Sequence, residues 1–306
     1  MREISNSNKH LNASLALFLL ITFVNVGFHD STLTAQQLPD SVISIDSLTV
    51  TVLRGSDAIN QTPYAISIRD QIDLQRGNTG LSLEEALQGI PGVQVQNRYN
   101  YAVGERISIR GFGARAGFGV RGVKVIVDGI PATMADGQST LDHVDIGSLG
   151  RAEVLRGPAS ALYGNGSGGV LSLQTAEPPD VPFRQIVKGV IGSNGLTRLE
   201  SNTAGRYQNT SYLVNLSRLN YDGFRTNPQN PADPYGTAGR LNLNTNVSTK
   251  LANGVLRITG NVLDLNAQNP GSLNRSDLDA GVLSARSYNV KQNTYKNVRQ
   301  GQFGLN

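Results

Sequence analysis

Residues 152–175 read AEVLRGPASALYGNGSGGVLSLQT, and this stretch decides the fold of the chain around it. It contains two strand-like runs, 153–156 and 170–175, on either side of a helical turn that opens at Pro158. Proline favours the first position of a helix because its φ is already close to the helical value. Residues 164–169 contain four glycines, which permit positive φ and close backbone approach in turns. The stretch therefore predicts two strands joined by a short helix and a glycine-rich loop.

The residues before this stretch alternate short strands with glycine-rich loops. Ser82-Leu-Glu-Glu85 predicts a capping box at the start of a short helix. In a capping box the Ser82 hydroxyl accepts a hydrogen bond from a backbone N–H of the first turn, and the Glu85 carboxylate accepts one from the N–H of Ser82. Further strands are predicted at 93–96, 106–110 and 123–128. The pattern predicts an α+β domain over residues 61–180, a small mixed sheet with short helices.

From residue 181 the strands become longer and alternate strictly. Residues 240–250 read RLNLNTNVSTK, with Leu, Thr and Val on one face and Arg, Asn and Ser on the other. One apolar and one polar face over about ten residues is typical of transmembrane β-strands around an aqueous interior. The alternative, a soluble β-sandwich, usually has strands of about 5–6 residues. Six strands are expected, near 184–192, 196–207, 211–221, 238–250, 254–265 and 294–306, with a long Asn/Pro loop over 224–237.

These strands predict the first part of an antiparallel transmembrane β-barrel over residues 181–306, with the barrel incomplete. Large plugged barrels have about 22 strands, and six are visible here. We therefore expect this chain to be a fragment of a longer protein.

The N-terminus predicts export. Basic residues precede 11–28, which carry no charged side chain, and small residues end at Ala35. This order predicts a secretory signal peptide over residues 1–35. The alternative is a single membrane anchor, but the apolar core is shorter than the roughly 20 residues a spanning helix needs, and Asn12 and Asn25 interrupt it. The sequence therefore predicts an exported protein, which could span a membrane only as a β-barrel.

The composition excludes several classes of function. The chain has no Cys and only three His, which excludes thiolate metal sites, disulfides and cysteine nucleophiles. The net charge of +4 is divided unevenly, because residues 36–182 carry 11 basic and 15 acidic groups (−4) and residues 183–306 carry 14 and 6 (+8). The basic residues are scattered singly among Asn, Thr and Gly, so no nucleic-acid partner is expected.

Residues 62–178 resemble the plug domain of TonB-dependent outer-membrane receptors. The resemblance is carried by five segments in order: TPYAISI at 62–68, LEEALQGIPGVQV at 83–95, RISIRGFG at 106–113, VKVIVDGIP at 123–131, and the 152–175 stretch. It implies a receptor and transporter for a ferric chelate of the siderophore or iron-citrate type, in which a plug gates the barrel and is pulled by the TonB energy-coupling protein. It also implies a location in the bacterial outer membrane, in contact with outer-membrane lipid. The alternatives are an envelope module that senses or binds a ligand without transport, a receptor for another scarce nutrient such as cobalamin, and an envelope enzyme or adhesin.

The resemblance also implies roles for individual residues. Arg110 and Arg156 each end a strand and precede a glycine, and as plug arginines they are expected to pair with barrel glutamates and lock plug to barrel. The alternative is that both lie on the surface. The segment DSLTVTV resembles the TonB box, within a periplasmic tether over 36–60, although an inert edge strand would show the same alternation. The box residues are Asp46, Leu48, Thr49, Val50, Thr51 and Val52.

Ligand-binding residues are expected on the outward-facing loops of the plug. The candidates are Arg98, Tyr99, Tyr101, Arg115, Arg121 and Gln138. Guanidinium groups bind carboxylates in a bidentate way, which suits an anionic chelate. DGIPA at 128–132, followed by Gly137-Gln138, resembles the ferric-citrate branch of the family.

Two further patterns predict no chemistry. The GxGxxG at 164–169 follows a helical turn and opens a strand, whereas a dinucleotide fingerprint follows a strand and opens a helix. Asp128, Asp136, Asp142 and Asp145 lack the spacing of a Ca²⁺ loop and are predicted mostly to cap turns. We therefore expect no catalytic residues, no enzyme activity, no resident metal and no cofactor, with iron present only in a transported chelate.

Overall fold

The 152–175 stretch forms two adjacent strands and the helix between them in the computed structural model. The structure describes residues 49–306 except 54, 56, 97, 98, 118 and 165, and describes residues 57, 160 and 161 through their backbone only. The predicted signal peptide, Asp46, Leu48 and Arg98 lie outside the described residues.

We call the described residues between 61 and 180 the plug. They are built on a five-stranded mixed sheet in the order β3-β10-β11-β7-β8. Strand β10 is antiparallel to both β3 and β11, whereas β11 runs parallel to β7. Two small antiparallel sheets of two strands each, β4-β5 and β6-β9, accompany this sheet. The elements are β3 Ala65–Asp70, α1 Gln71–Gln75, α2 Leu83–Leu87, β4 Val93–Gln96, β5 Arg106–Ile109, β6 Val120–Arg121, β7 Val123–Val127, β8 Ile130–Pro131, β9 Gln138–Ser139, β10 Leu149–Arg156, α3 Ser160–Tyr163 and β11 Gly169–Thr175, preceded by β1 Thr49–Val50 and β2 Asp57–Ala58. The predicted α+β fold with a mixed sheet is confirmed.

The helix α2 begins as its sequence predicts, but only half of the capping box forms. Ser82 accepts a hydrogen bond from the backbone N–H of Glu84 at 3.1 Å. Glu85 instead turns towards the preceding loop, where its carboxylate accepts from the N–H groups of Thr79, Gly80 and Leu81. Three loop N–H groups bind the Glu85 carboxylate in place of the single N–H of Ser82. The prediction that Glu85 accepts a hydrogen bond from Ser82 is therefore wrong.

The plug core lies between the sheet and the helices α1 and α2. Leu74 and Leu87 of the helices pack in one cluster with Leu171 and Leu173 of β11, and each is no more than 1% exposed. Burying a leucine side chain fully stabilises a fold by about 1.5–3 kcal/mol. The five-residue helices are thus held by the sheet, since isolated helices this short are unstable in water.

The second half of the chain forms a six-stranded antiparallel sheet, which we call the wall. Its strands follow sequence order and are β12 Arg184–Ile191, β13 Thr197–Tyr207, β14 Thr210–Tyr221, β17 Ala238–Leu251, β18 Gly254–Gln268 and β19 Tyr295–Leu305. The polar residues Asn242, Asn244 and Asn246 are buried against the plug. Val262 and Phe303 lie exposed on the opposite face. The alternation therefore sets a polar face inward and an apolar face outward, as predicted.

The wall does not close on itself, because β12 and β19 each have a single strand neighbour among the described residues. Its strands are joined by tight turns at one end and by long connections at the other. We call the end with the long connections the loop end. Within the described part of the chain, no helix has the length and hydropathy needed to cross a membrane.

The predicted Asn/Pro loop over 224–237 contains a hairpin, β15 Arg225–Asn227 and β16 Asn230–Tyr235. The connection after β18 also carries two short helices, α4 Arg275–Asp279 and α5 Ser287–Lys291. Arg225 donates from Nε to the carbonyl oxygen of Leu283 at 2.9 Å, which ties the hairpin to this neighbouring connection. The long connection is thus present as predicted, and its Asn and Pro residues close a turn between two paired segments.

Gly169 gives a test of the plug fold. Its φ is +142°, and a Cβ there would lie 2.1 Å from the carbonyl oxygen of Leu155. We expect Gly169→Ala to lower the free energy of unfolding by more than about 3 kcal/mol, since backbone strain of about 1–3 kcal/mol adds to the clash. The measurement is the denaturant concentration at which the plug of the full-length protein becomes protease-sensitive.

Gly164→Ala is the matched control. Gly164 also has positive φ, +71°, but a Cβ added there would have no atom within 4 Å. Gly164→Ala should therefore lower the free energy of unfolding by the backbone strain alone. Equal losses of stability in the two variants would contradict the close approach of β10 and β11.

Candidate functional site at the plug–wall interface

The most buried contact between plug and wall is an ionic cluster at Asp145, Arg198 and Glu200. Arg198 of β13 donates from Nη2 to Asp145 Oδ1 at 2.8 Å and from Nη1 to Glu200 Oε2 at 2.6 Å. All three side chains are at most 4% exposed. We call this set the lock cluster, because it joins a plug carboxylate to a wall guanidinium out of water.

The remaining acceptor atoms of the lock cluster are also satisfied. Asp145 precedes a 3₁₀ turn, Ile146–Ser148, and its Oδ1 accepts from the N–H of Gly147 at 2.8 Å. Its Oδ2 accepts from the hydroxyl of Ser217, and Glu200 Oε1 accepts from the amide of Asn215 at 3.0 Å. Buried charges are tolerated when they are paired and hydrogen-bonded in this way.

Glycine is needed where the plug backbone approaches this cluster. A Cβ on Gly147 would lie 2.2 Å from Glu200 Oε1, and one on Gly80 would lie 3.0 Å from the Arg198 guanidinium. The absence of side chains at both positions lets the plug backbone reach the wall, so the geometry of the cluster depends on them.

The charge on Asp145 is favoured by its partners. Burial alone would raise the pKa of its carboxyl, but the positive charges of Arg198 and Arg240, with hydrogen bonds from Ser217 and Gly147, hold the pKa below the ordinary value. Asp145 therefore stays ionised at neutral pH and keeps its pairing with Arg198.

Other plug–wall contacts repeat this polarity. Asp142 of the plug pairs with Lys296 of β19 at 2.5 Å. At the exposed rim, Glu177 pairs with Arg257 at 2.9 Å and Asp180 pairs with Arg206 at 2.5 Å. Acidic plug residues thus meet basic wall residues, which accounts for the −4 and +8 division of charge along the sequence.

Arg110 and Arg156, the arginines predicted to lock the plug, form no ion pair with any residue that the structure describes. Arg110 is exposed after β5 with φ +51°. Arg156 donates from Nη1 to the carbonyl oxygen of Pro91 at 2.9 Å and from Nε to that of Ala65 at 3.3 Å. Pairing of these two arginines with barrel glutamates stays a prediction.

The lock cluster was missed by the sequence analysis, which assigned Asp145 and Asp142 to turn capping. Asp145 does cap the 3₁₀ turn, and one carboxylate performs both tasks. The available signal was Arg198-Leu-Glu200, two opposite charges on the polar face of an amphipathic strand. The acidic balance of the plug against the basic balance of the wall was the second signal.

The predicted ligand-binding residues fall into two groups. Tyr99 and Tyr101 line a cavity of about 770 Å³ at the loop end, which Tyr221 and Phe224 of the wall also line. The rings of Tyr101 and Tyr221 meet edge to face at 5.9 Å. This group combines plug and wall residues in one aromatic cavity.

The second group lies on the two-stranded sheet β6–β9 and on the loop before β6. Arg121 donates from Nη2 to Gln138 Oε1 at 3.2 Å, and Arg115 is exposed. None of these three residues lines the aromatic cavity. The described residues therefore do not bring all the candidates into one site, and their common role in ligand binding stays a prediction.

Residues Thr49–Val52 of the predicted TonB box lie against the plug. Strand β1 pairs with β2, and Val50 and Val52 are buried beside Leu155 and Val170. The backbone N–H groups of Thr51 and Val52 donate to the carboxylate of Glu153 on β10. The segment is thus docked on the plug rather than extended away from it.

Glu105 lies near the lock cluster in a narrow cavity that Asp142 and Arg240 also line. Its carboxylate accepts from the N–H of Leu83 at 3.0 Å, at the start of α2. Burial raises the pKa of Glu105 to about 7, although hydrogen bonds from Ser82 and Leu83 and the charge of Arg240 oppose the rise. This carboxyl therefore changes its charge near neutral pH.

Comparison with known proteins identifies the domain. Residues 58–170 match the family model described as TonB-dependent Receptor Plug Domain. This part of the chain is similar to the plug domain of TonB-dependent receptors. The antiparallel strands from residue 184 onwards resemble the barrel strands of solved TonB-dependent receptors in their fold. The location of the chain is the bacterial outer membrane.

The chain resembles several members of the family. It is 30% identical to a hemin receptor of Yersinia enterocolitica over 139 residues, 44% of this chain and 19% of that protein. It is 31% identical to the pesticin receptor of Yersinia pestis over 187 residues, 60% of this chain and 26% of that protein. The crystal structure of the ferric yersiniabactin uptake receptor FyuA from Yersinia pestis superposes with a TM-score of 0.59 at 23% identity, over 70% of this chain and 33% of that one. The chain thus spans about a fifth to a third of the length of these relatives.

The Glu105 carboxyl predicts a pH dependence of plug stability. An unfolded glutamate has a pKa of about 4.3, and the folded value is about 7, so between these values the folded state binds more protons. The contribution of Glu105 is full below about pH 4.3 and is lost as the pH rises through about 7. We expect this contribution of Glu105 to fall by about 1–2 kcal/mol between pH 5 and pH 8 after solvent screening. His143 acts in the opposite direction up to about pH 6.5, because burial lowers the pKa of its imidazole.

Glu105→Gln should remove most of this slope, because the amide oxygen still accepts from Leu83 but carries no proton to lose. The measurement is the denaturation midpoint of the plug in the full-length protein at pH 5 and pH 8. Glu177→Gln, at the exposed rim, is the control and should keep the slope. An unchanged slope in Glu105→Gln would contradict the assignment.

Proposed function

We propose that the protein is a TonB-dependent transport receptor for a ferric chelate of the siderophore or iron-citrate type, whose plug gates the barrel. The observation that carries the proposal is the manner in which the plug is docked. Apart from an apolar cluster at Leu81 and Tyr101, many of its contacts with the wall are ion pairs and hydrogen bonds from asparagine. Asn261 donates to the carbonyl oxygen of His143 at 3.0 Å, and Asn246 donates to that of Ala176 at 3.3 Å. A polar interface can separate and exchange its contacts for water without exposing the plug core.

The energy source in this proposal is a periplasmic TonB protein that adds a strand to the segment 46–52. Main-chain hydrogen bonds supply the grip in strand addition, so the side chains of the segment are only loosely restricted. The docked position of Thr49–Val52 beside β10 supports the idea that a pull on this segment acts on the plug sheet. The outward apolar residues of the wall, among them Val262 and Phe303, are proposed to contact outer-membrane lipid.

The ligand is proposed to bind at the loop end. The aromatic cavity at Tyr99, Tyr101, Tyr221 and Phe224 supports a ligand with a flat unsaturated surface, since aromatic side chains stack on such surfaces. The names of the relatives, hemin and ferric yersiniabactin receptors, agree with an iron-bearing ligand. In this proposal iron is cargo rather than a resident cofactor, and the protein is a receptor rather than an enzyme.

The ligand class is tested by uptake. Cells that carry the full-length protein as their sole receptor receive ⁵⁵Fe as citrate, hydroxamate, catecholate, phenolate or haem complexes. Energy-dependent uptake of at least one complex is expected. Binding without uptake would support the alternative of a sensing module, and failure with every iron complex would favour cobalamin or another nutrient.

Val50→Pro tests the coupling segment. Proline removes a backbone N–H and cannot complete the hydrogen-bond ladder of an added strand. Uptake is expected to fall to the level seen without the TonB protein, while surface binding of the ligand and the amount of receptor stay normal. Normal uptake by Val50→Pro would exclude strand addition at this segment.

A further inference from the structure

Four consecutive plug residues, Asp142–Asp145, contact three strands of the wall. The contacts are Asp142 with Lys296 of β19 at 2.5 Å, the carbonyl oxygen of His143 with Asn261 of β18 at 3.0 Å, and Asp145 with Arg198 of β13 at 2.8 Å. We call these four residues the anchor segment. Its contacts reach from the second strand of the wall to the last one, so they hold the plug across most of the width of the sheet.

The ring of His143 lies inside this anchor rather than in water. The residue is 2% exposed, and neither ring nitrogen has a hydrogen-bond partner among the residues that the structure describes. It lines a cavity of about 20 Å³ between plug and wall, together with Asn244 and Asn261. The Nδ2 of Asn244 and the Oδ1 of Asn261 likewise have no partner in the described part of the chain. A cavity of this size has room for about one water molecule.

The cavity suits a neutral imidazole and not a charged one. A neutral ring carries one donor and one acceptor, whereas an imidazolium carries two donors and a full charge. The two amides on the wall side supply one donor, Asn244 Nδ2, and one acceptor, Asn261 Oδ1, which a single water molecule can join to the neutral ring. A buried imidazolium needs a carboxylate partner, since one water molecule cannot replace its hydration.

The carboxylates beside the ring are all engaged elsewhere. Asp128 accepts from the N–H and the hydroxyl of Thr175, both at 2.7 Å. Asp142 and Asp145 are paired with cations of the wall. The wall residues that line the cavity carry no charge and are Asn244, Thr259, Gly260, Asn261 and Gln302. An imidazolium can therefore gain a carboxylate only by taking it from an existing partner.

The charge of the ring depends on whether the anchor segment is docked. Burial lowers the pKa of the His143 imidazole, although the charge of Asp142 opposes this effect. A histidine in water has a pKa of about 6.5, so the docked ring is neutral at pH 7. Below about pH 6.5 the separated state binds more protons than the docked state, and acid therefore favours separation.

We propose that His143 makes the anchor segment acid-sensitive: the protonated ring competes with Lys296 for Asp142, and the anchor segment separates from the wall while the plug core stays folded. Asp142 is the carboxylate in question because its charge reaches the ring. The inference concerns the docking of the plug alone and does not depend on which ligand or energy partner the receptor uses.

Separation is measured at N242C, in a full-length protein with no other cysteine. Asn242 is fully buried on the inward face of the wall, directly opposite Ser217, which donates to Asp145. Its amide atoms have no partner among the described residues, so the substitution removes no hydrogen bond seen there. The rate of maleimide labelling tracks the separated fraction when docking is fast relative to labelling.

H143Q is the matched variant, because glutamine keeps a donor and an acceptor but does not titrate. The N242C rates with His143 and with H143Q are divided at each pH, which cancels the pH dependence of the thiol. We expect a ratio of about one at pH 7.5 and of about ten at pH 5.0. Linkage with a pKa of about 6.5 in the separated state limits the ratio to about thirty at pH 5.0.

V125C is the control for the plug core, where Val125 is fully buried on β7. Its labelling should stay slow at both pH values, with a ratio of about one. H143N takes the place of H143Q if H143Q exposes V125C. An N242C ratio of about one at pH 5.0 would overturn the proposal. Acid labelling of V125C that rises together with that of N242C would also overturn it, because the whole plug would then be unfolding.

K296M tests the competition for Asp142. Without Lys296, Asp142 can pair with the imidazolium at once, which raises the pKa of the docked ring and removes the advantage of separation. In the K296M background the N242C ratio at pH 5.0 should therefore fall to about three or less. A merely structural role of His143 would not respond to K296M, so a ratio as large as that with Lys296 would overturn the competition between His143 and Lys296.

Discussion

The buried contact between Asp145 and Arg198 is the interaction on which the placement of the plug depends. It is formed out of water, and each charged group in it has a second partner: Gly147 and Ser217 for Asp145, and Glu200 for Arg198. Removing one member of such a cluster leaves an unpaired charge in a dry environment, which is destabilising by about 3–5 kcal/mol. If water reached this contact, it would contribute little to the stability of the plug, because exposed ion pairs stabilise by at most about 1 kcal/mol. The contribution of this contact to plug stability therefore depends on the exclusion of water from it.

The lock cluster and the N-terminal segment are connected by one continuous piece of backbone. Asp145 leads through the 3₁₀ turn Ile146–Ser148 directly into β10, which carries Glu153 and is hydrogen-bonded to strands on both sides. A strand paired on both sides is rigid, so the wall contact and the segment contact are fixed in relation to each other. The two buried carboxylates of this stretch, Asp145 and Glu153, each bind something outside the plug core.

The sequence was sufficient for the fold because its patterns are local. The glycines and Pro158 in 152–175 predict the β10–α3–β11 unit, and the strict alternation after residue 181 predicts the wall strands and their inward polar face. The charge division was also visible in the sequence. The ion pair that this charge division supports could not be predicted from the sequence. Asp145 and Arg198 are 53 positions apart, and their pairing depends on how two sheets meet.

The roles that the sequence did not predict belong mainly to carboxylates with more than one possible partner. Asp145 caps a turn and also locks the plug, and Glu85 satisfies loop amides rather than the helix start, so residue type alone predicted only part of each role. The buried position of Glu153 was likewise hidden, since its neighbours predict a strand but not which groups reach its carboxylate. Such roles depend on tertiary contacts that spacing does not encode.

A double-mutant cycle between Asp145 and Arg198 tests the central claim most directly. The free energy of plug unfolding is measured in the full-length protein for the parent, Asp145→Asn, Arg198→Met and the double variant. A buried, mutually dependent pair predicts that the two single substitutions are far from additive, with a coupling energy of about 2 kcal/mol or more. Additivity within about 0.5 kcal/mol would show that the two residues act independently and would contradict the account.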